Sequence, residues 1–369
     1  MEVDINSKKD KYIRTEKIIL YIIIFLSICI IEFKDHSRIL SLIKSRKYIN
    51  ICYKAKLINP NLIQIQEIPK ITIIIPIFNC QDSIKYAVRS VQNQNISNFE
   101  LILINDLSLD NSLNIIIQLS QEDSRIRVLN NFHNMGTLYS RCIGVIKSKG
   151  KYILSLDNDD LFMNYDIFYT ALNEMEKGQY DILEFHAIRG RSYSPHISEM
   201  IDDVFHENEN NLILNQPNLG QHSITRNGTF GFNNIHIWGK CIKKEIYKKS
   251  INLLSKEKYN RYICWAEDTL MVFILFNLAN SYKFINKYSI FHLESNKTTG
   301  YTQSFRNKVF GELFLLDIML NFFNNKETIK YIFNKILDME SLDFFNEGIN
   351  YDINKKYLNL SLNLYTNYH

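Results

Sequence analysis

The sequence predicts an α/β fold on a doubly wound sheet with flanking helices, and three observations predict it. Residues 71–76, 99–106 and 152–157 are continuous runs rich in Ile and Leu. Such runs lack the alternation of a half-exposed strand and suit strands buried on both faces. Segments with helical spacing separate the runs, as in βαβ units. Each run ends in a polar or acidic cluster, at 76–79, 105–110 and 157–160. Ligands of doubly wound sheets sit at those carboxyl ends.

Taken in order, an amphipathic helix is expected over 82–91, with Asp82 or Ser83 as its cap. A second helix follows over 112–121, a short strand over 126–129 and a third helix over 137–146. Beyond residue 200 the strand signal weakens, and 235–247 and 265–276 are the informative segments. From about 305 the chain reads as helices, with Ile329, Ile332, Phe333, Ile336 and Leu337 at helical spacing. Residues 358–365 alternate with period two and could form a strand.

The 369 residues are 46% apolar and 22% charged, with net charge +4, which excludes a disordered chain. So mild a balance does not call for nucleic acid, whose binders cluster their basic residues on one face. The six cysteines form no C-x-x-C pair, so a zinc ribbon or redox motif is not expected. At the N-terminus, Lys8, Lys9, Lys11, Arg14 and Lys17 precede an uninterrupted apolar run over 18–31. A helix of that length reaches about 21 Å against a hydrocarbon core of about 30 Å, and flanking Lys17, Glu32 and Lys34 could snorkel to complete the span. No small-x-small cleavage site follows. The expectation is a single uncleaved membrane anchor in 1–33, then a stem or linker over 34–70, a catalytic domain over 71–300 and a helical extension over 301–369. Localisation would be single-pass at a membrane, the endoplasmic reticulum or Golgi if the source is eukaryotic.

Chemistry is concentrated in Asp157-Asn158-Asp159-Asp160. At a strand end, residues two apart point the same way, so Asp157 and Asp159 could share one divalent cation. Oxygen-only ligands suit Mg²⁺ or Mn²⁺. A solvated acidic turn is the competing reading of that tetrapeptide taken alone.

The order of the pieces goes further. Pro76-Ile77-Phe78-Asn79, Ser90 to Gln94, Asp106-Leu107-Ser108-Leu109-Asp110, Asn134 to Cys142 and Leu156 to Asp160 together resemble the nucleotide-sugar-binding half of family-2 glycosyltransferases. Trp265-Ala266-Glu267-Asp268 looks like that family's E-D element, and Ile237-Trp238-Gly239-Lys240 like the segment before it. The resemblance implies a GT-A fold with a mixed sheet, and transfer of a hexosyl or N-acetylhexosaminyl group. The donor would be a nucleotide-diphospho-sugar, a UDP-sugar foremost, and the acceptor a hydroxyl of a glycan, lipid or protein. It implies a metal held by Asp157 and Asp159, with His292 within reach of the metal or a phosphate, although a packing or surface histidine is the commoner role for such a residue. Pro76, Asn79 and Asp106 would line the nucleotide, with Asp106 on the base and ribose. Arg141 would complement the phosphates or hold the acidic cluster in place, alongside Asp157. Asp268 would be the general base, with Glu267 orienting a neighbour or the acceptor.

The chain departs from the family pattern at Asn105, Leu107, Leu109 and Cys142. Leu107 stands where glycine is usual, and leucine resists a positive φ, so a reshaped acidic loop is expected. The Q-x-x-R-W motif of processive members is absent, which favours transfer of a single sugar. Two other readings compete: a nucleotidyltransferase, disfavoured because residues 76–83 contain no Gly or Lys, and a non-catalytic membrane-tethered sugar- or partner-binding protein.

Overall fold

A computed structural model describes residues 55–58, 68–190, 200–203, 212–215, 225–226, 229–230, 236–256 and 267–293. All of them fall within one compact unit, Ile51–Asp317. The expected anchor, most of the stem, the helical extension and the 358–365 strand lie outside the described residues. Among the described residues no helix is long and apolar enough to cross a membrane.

In chain order the elements are β1 (Ala55–Leu57), β2 (Ile71–Ile77), α1 (Ile84–Gln92), β3 (Phe99–Asn105), α2 (Ser112–Glu122), β4 (Ile126–Asn131) and α3 (Thr137–Lys147). There follow β5 (Tyr152–Ser155), β6 (Leu161–Phe162), α4 (Ile167–Gly178), β7 (Ile182–Gly190), β8 (Met200–Asp203) and β9 (Ile213–Asn215). The last are β10 (Thr225–Arg226), β11 (Thr229–Phe230), β12 (Lys240–Lys243), α5 (Lys244–Lys256), α6 (Glu267–Leu278) and β13 (Ser281–Leu293). One sheet runs β1-β4-β3-β2-β5-β12-β7-β13-β6, with β8 on β7 and β9 on β13. Strands β4, β3, β2 and β5 are parallel. Strand β12 enters antiparallel to both β5 and β7, while β13 returns parallel to β7. The sheet is therefore mixed.

The stem expected over 34–70 is corrected at one point. Residues Ala55–Leu57 pair antiparallel with β4, so the sheet begins before residue 71. A three-residue edge strand carries too little pattern to read, because its pairing rests on backbone groups.

Every residue of β2 and β3 is buried, as continuous apolar runs require. Each fully buried Ile in β2 contributes about 1.5–3 kcal/mol of burial energy. Helix α1 covers this face with Ile84, Ala87, Val88 and Val91, the i, i+3, i+4, i+7 stripe of an amphipathic helix. Ser83 does occupy the N-cap, but it makes no side-chain cap bond; its hydroxyl instead donates back to the Cys80 carbonyl.

Pro76 lies in the central strand, where a missing N–H would normally cost a ladder bond. In a parallel strand one residue's N–H and C=O point to the same neighbour. The Ile74 carbonyl accepts from Leu156 N–H at the β5 side, so Pro76, two residues on, faces that side too. The β2–β5 ladder has ended there, and the Pro76 carbonyl is taken by Asn158 Nδ2 at 3.1 Å. Proline thus releases β5 without loss and offers an anchor to the acidic turn beyond it.

Helix α3 lies close against β2 and β3 because of Gly144. A Cβ there would sit 2.7 Å from Ile74 Cγ2 and 3.2 Å from Ile104 Cδ1. The close approach carries Arg141, one turn earlier, beneath the strand ends.

Candidate active site

The loops after β2 and β3 are tied to each other. Asn79 N–H donates to Ser108 Oγ (3.1 Å), and Leu109 N–H to Asn79 Oδ1 (2.8 Å). Gln81 N–H donates to Asp110 Oδ2 (3.0 Å), and Ser108 N–H to Asn105 Oδ1 (3.2 Å). Leu107 does not avoid the positive φ that leucine resists. Leu107 adopts φ +62°, the left-handed conformation that glycine takes freely, because the surrounding bonds fix the backbone on both sides of it. The left-handed conformation costs a leucine about 1–2 kcal/mol, partly offset in comparison with glycine by glycine's own entropy loss of roughly 0.5–1 kcal/mol. Leu107→Gly is therefore expected to raise the melting temperature slightly; a lower Tm would mean that the half-exposed leucine side chain contributes more than its backbone costs.

Asp106, at the end of β3, is buried. Its Oδ1 accepts from Asn131 Nδ2 (2.7 Å) and Met135 N–H (2.9 Å), and its Oδ2 accepts from Gly136 N–H (2.7 Å). Burial pushes its pKa up, and these bonds to Met135, Asn131 and Gly136 pull it back. Gly136 is the N-cap of α3 with φ +85°. Asp106 thus fastens the start of α3 to β3, and both its oxygens are engaged within the chain.

Arg141, inside α3, joins the acids. Its Nη2 meets Asp157 Oδ1 at 2.6 Å, its Nη1 pairs with Asp268 Oδ1, and Glu267 Oε1 lies 3.9 Å from Nη1. Burial opposes its charge, but Asp268, Asp157 and Glu267 outweigh burial and hold it firmly protonated. Asp268 and Glu267 form the first turn of α6, where the helix dipole favours negative charge. Asp268 Oδ2 also accepts from Ile237 N–H at 3.2 Å. Burial, then Asp268 beside it, lifts Glu267 to about 7. Burial lifts Asp268 as well, against the pull of Arg141.

The acidic tetrapeptide is not an extended strand end. Strand β5 stops at Ser155, and Asp160 N–H donates to the Asp157 carbonyl at 3.2 Å. The residues form a turn, so the period-two argument for placing Asp157 and Asp159 together does not govern here. Asp157 faces Arg141. Burial, Asp160 and Asp157 raise Asp159 to about 7. Asp160, fully buried, accepts from Leu293 N–H (3.1 Å) and meets His292 Nδ1 at 2.9 Å. Burial disfavours the His292 imidazolium, but Asp160 outweighs it and raises His292 to about 9. His292 in turn stacks on Trp238, with ring centroids 5.3 Å apart, and Trp238 stacks on His236 at 4.4 Å.

The Ser90 to Gln94 element holds the chain that follows this turn. Ser90 Oγ accepts from Phe162 N–H (3.1 Å), while Gln94 donates to the Asn164 carbonyl (2.8 Å) and accepts from Phe168 N–H (3.2 Å).

Among the described residues no three His, Cys, Asp or Glu side chains are arranged to hold a metal ion. The donor chemistry nevertheless suits a hard cation. Asp159 sits among like charges, and Asp160 Oδ2 is buried with no hydrogen-bond partner, an atom that a cation or its water would satisfy. Sequence reasoning overlooks Asp160. Its signal was a third acid in a row after a buried strand, since a fully buried carboxylate needs a partner.

Comparison with known proteins yields three kinds of match. Residues 72–233 match the family model "Glycosyl transferase family 2". An uncharacterized glycosyltransferase of Haemophilus influenzae is 38% identical over 107 residues, covering 29% of this chain and 42% of that protein. The uncharacterized glycosyltransferase EpsJ of Bacillus subtilis is 27% identical over 220 residues, covering 60% of each. The matches thus span about half the length of these curated relatives. Among solved structures, S. aureus TarS 1–349 in complex with UDP-GlcNAc superposes with TM-score 0.56 at 16% identity, covering 73% of this chain and 72% of that one. At that identity the likeness concerns the fold.

Proposed function

We propose that the chain, whose residues 72–233 match the model of family-2 glycosyltransferases, transfers a single hexosyl or N-acetylhexosaminyl group from a nucleotide-diphospho-sugar to an acceptor hydroxyl, with inversion. The observation that carries this reading is Arg141, whose one buried guanidinium joins Asp157 of the strand-end turn to Asp268 of α6. Leaving-group and acceptor chemistry thereby meet at a single cation. A UDP-sugar donor is favoured because the TarS neighbour binds UDP-GlcNAc and, in a second structure, UDP.

In this reading the nucleotide lies over Pro76, Asn79 and the Asp106–Asp110 loop, and Asp106 holds the α3 N-terminus facing it. Asp159, with Asp157 nearby and the unpartnered Asp160 Oδ2 beside it, would hold Mn²⁺ or Mg²⁺, which supplies Lewis-acid stabilisation of the departing diphosphate; His292, kept charged by Asp160, would complement a phosphate and not ligate the metal. Asp268 takes the acceptor proton as the hydroxyl attacks the anomeric carbon, and Glu267 orients the acceptor. Arg141 holds Asp157 and Asp268 in place and opposes the burial that raises Asp268. The acceptor is a glycan, lipid or protein hydroxyl. A membrane tether over 18–31, flanked by basic residues, would hold the enzyme beside a lipid-linked or surface acceptor.

The test is a nucleotide-release screen with Mn²⁺ across common sugar nucleotides. One donor is expected to be hydrolysed above background, with loss of turnover on chelation. Long polysaccharide as product would overturn single-sugar transfer, and hydrolysis of none would overturn the reading as a whole. In the same setting Asp159→Ala is expected to weaken Mn²⁺-dependent UDP binding by at least about tenfold, read by calorimetry; unchanged binding would remove Asp159 from the metal assignment.

A further inference from the structure

Behind the candidate base lies a buried charged pair that the chemistry above does not use. Lys240, on β12, and Glu184, on β7, are each only 1% exposed. Lys240 Nζ donates to Glu184 Oε1 at 2.9 Å, and Glu184 Oε2 accepts from the Tyr282 hydroxyl of β13 at 3.0 Å. Burying such a pair costs desolvation, and replacing it with apolar residues is often neutral or stabilising. Stability alone therefore does not account for it.

A second bond of Lys240 gives it a task. Nζ also donates to the His236 carbonyl at 2.7 Å. The next N–H along the chain, that of Ile237, donates to Asp268 Oδ2. This carbonyl and this N–H belong to one planar peptide unit, so fixing one end aims the other. A cation on the carbonyl also polarises the peptide and strengthens its N–H as a donor. The bonds run without a break from Tyr282 through Glu184, Lys240 and the 236–237 peptide to Asp268, and on through Arg141 to Asp157.

We propose that Lys240, held by Glu184 and Tyr282, is a positioning residue that aims the 236–237 peptide N–H at Asp268 and so fixes the orientation and basicity of the general base. This rests on Asp268 being the base. Other groups facing Asp268 are Arg141 on α3, Asp157 after β5, Tyr247 on α5 and Glu267 on its own helix. Arg141 orients Oδ1, and the peptide orients Oδ2, the oxygen left to meet an acceptor.

The test compares Lys240→Met/Glu184→Gln, Tyr282→Phe and Asp268→Asn in the full chain, using the donor found in the screen. The double variant removes the cation without stranding a buried carboxylate, and the amide oxygen introduced on β7 can still accept from Tyr282. A hydrogen bond to the ionised form holds a carboxyl pKa down, so its loss moves the acidic limb of the kcat–pH profile to higher pH by about half a unit or more. The expected result is that shift with kcat down by roughly tenfold and donor KM within about twofold. Tyr282→Phe is expected to move the limb in the same direction by less, and it decides the matter if the double variant does not fold. An acidic limb unmoved in the folded variants, or a loss carried by donor KM instead of kcat, overturns the proposal. Asp268→Asn separates this failure from failure of the base assignment, because that assignment falls only if Asp268→Asn keeps its kcat.

Discussion

Arg141→Met is expected to lower the melting temperature by roughly 10 °C and to abolish transfer. The guanidinium is the cation that the structure places against Asp157, Asp268 and Glu267 together. Removing one partner of a buried ion pair costs about 3–5 kcal/mol because the other charge stays buried and unmatched, and each kcal/mol shifts Tm by about 2–4 °C in a domain of this size. The loss has a pH signature. Glu267 and Asp268 already titrate above their ordinary values, and without Arg141 they titrate higher still. Acids whose folded-state pKa is raised hold protons that the unfolded chain has lost. Stability therefore falls as pH climbs from their ordinary range near 4 towards the raised values. The variant should be closest to wild type near pH 5 and worst near pH 8, read as Tm against pH. A deficit that is flat or shrinks as pH rises would mean that Arg141 acts through packing and not through charge.

The parallel half of the sheet was legible because burial on both faces leaves a continuous apolar run. The expected strands at 71–76, 99–106 and 152–157 match β2, β3 and β5 to within two residues at either end. The antiparallel half was not legible. Strand β13 is 13 residues long with an irregular burial pattern, and its register shifts between Ile285 and Tyr288 and again before Ile290. Bulges of this kind break the alternation that identifies a half-exposed strand. Strand β12 is four residues whose environment is set by β5 and β7 on either side, which local pattern does not encode.

Within the site, the acids were legible as residues but not as partners. Motif order pointed to Asp157, Asp268 and Arg141, and the structure joins them across 127 residues of sequence separation between Arg141 and Asp268. The Asp160–His292 contact, separated by 132 residues, and the Lys240–Glu184 pair carry no local signature. Leu107 teaches the converse lesson. Its intrinsic preference argued for a different loop, yet the bonds from Asn79, Asn105 and Asp110 outweigh about 1–2 kcal/mol of local cost. Tertiary context overrides residue preference where several backbone groups are held at once.

Asp268→Asn should separate chemistry from architecture most cleanly. Asparagine keeps the shape but has one acceptor oxygen where aspartate has two, so it accepts from either Ile237 N–H or Arg141, and it has no basicity near neutral pH. Arg141 retains Asp157 and the neighbouring Glu267, so the cluster loses one negative charge of three and remains paired. Tm is therefore expected to stay within a few degrees of wild type, in contrast to Arg141→Met. Removing a positioned general base costs about 10²–10⁴-fold in kcat, and donor KM should change little because the proposed role of Asp268 is toward the acceptor and not the nucleotide. Equal losses in kcat and kcat/KM mark an interaction made only in the transition state. If instead the variant transfers sugar within about threefold of wild type, the proton is taken elsewhere; Glu267, held at about 7 by burial and by Asp268, would then be the group to replace next.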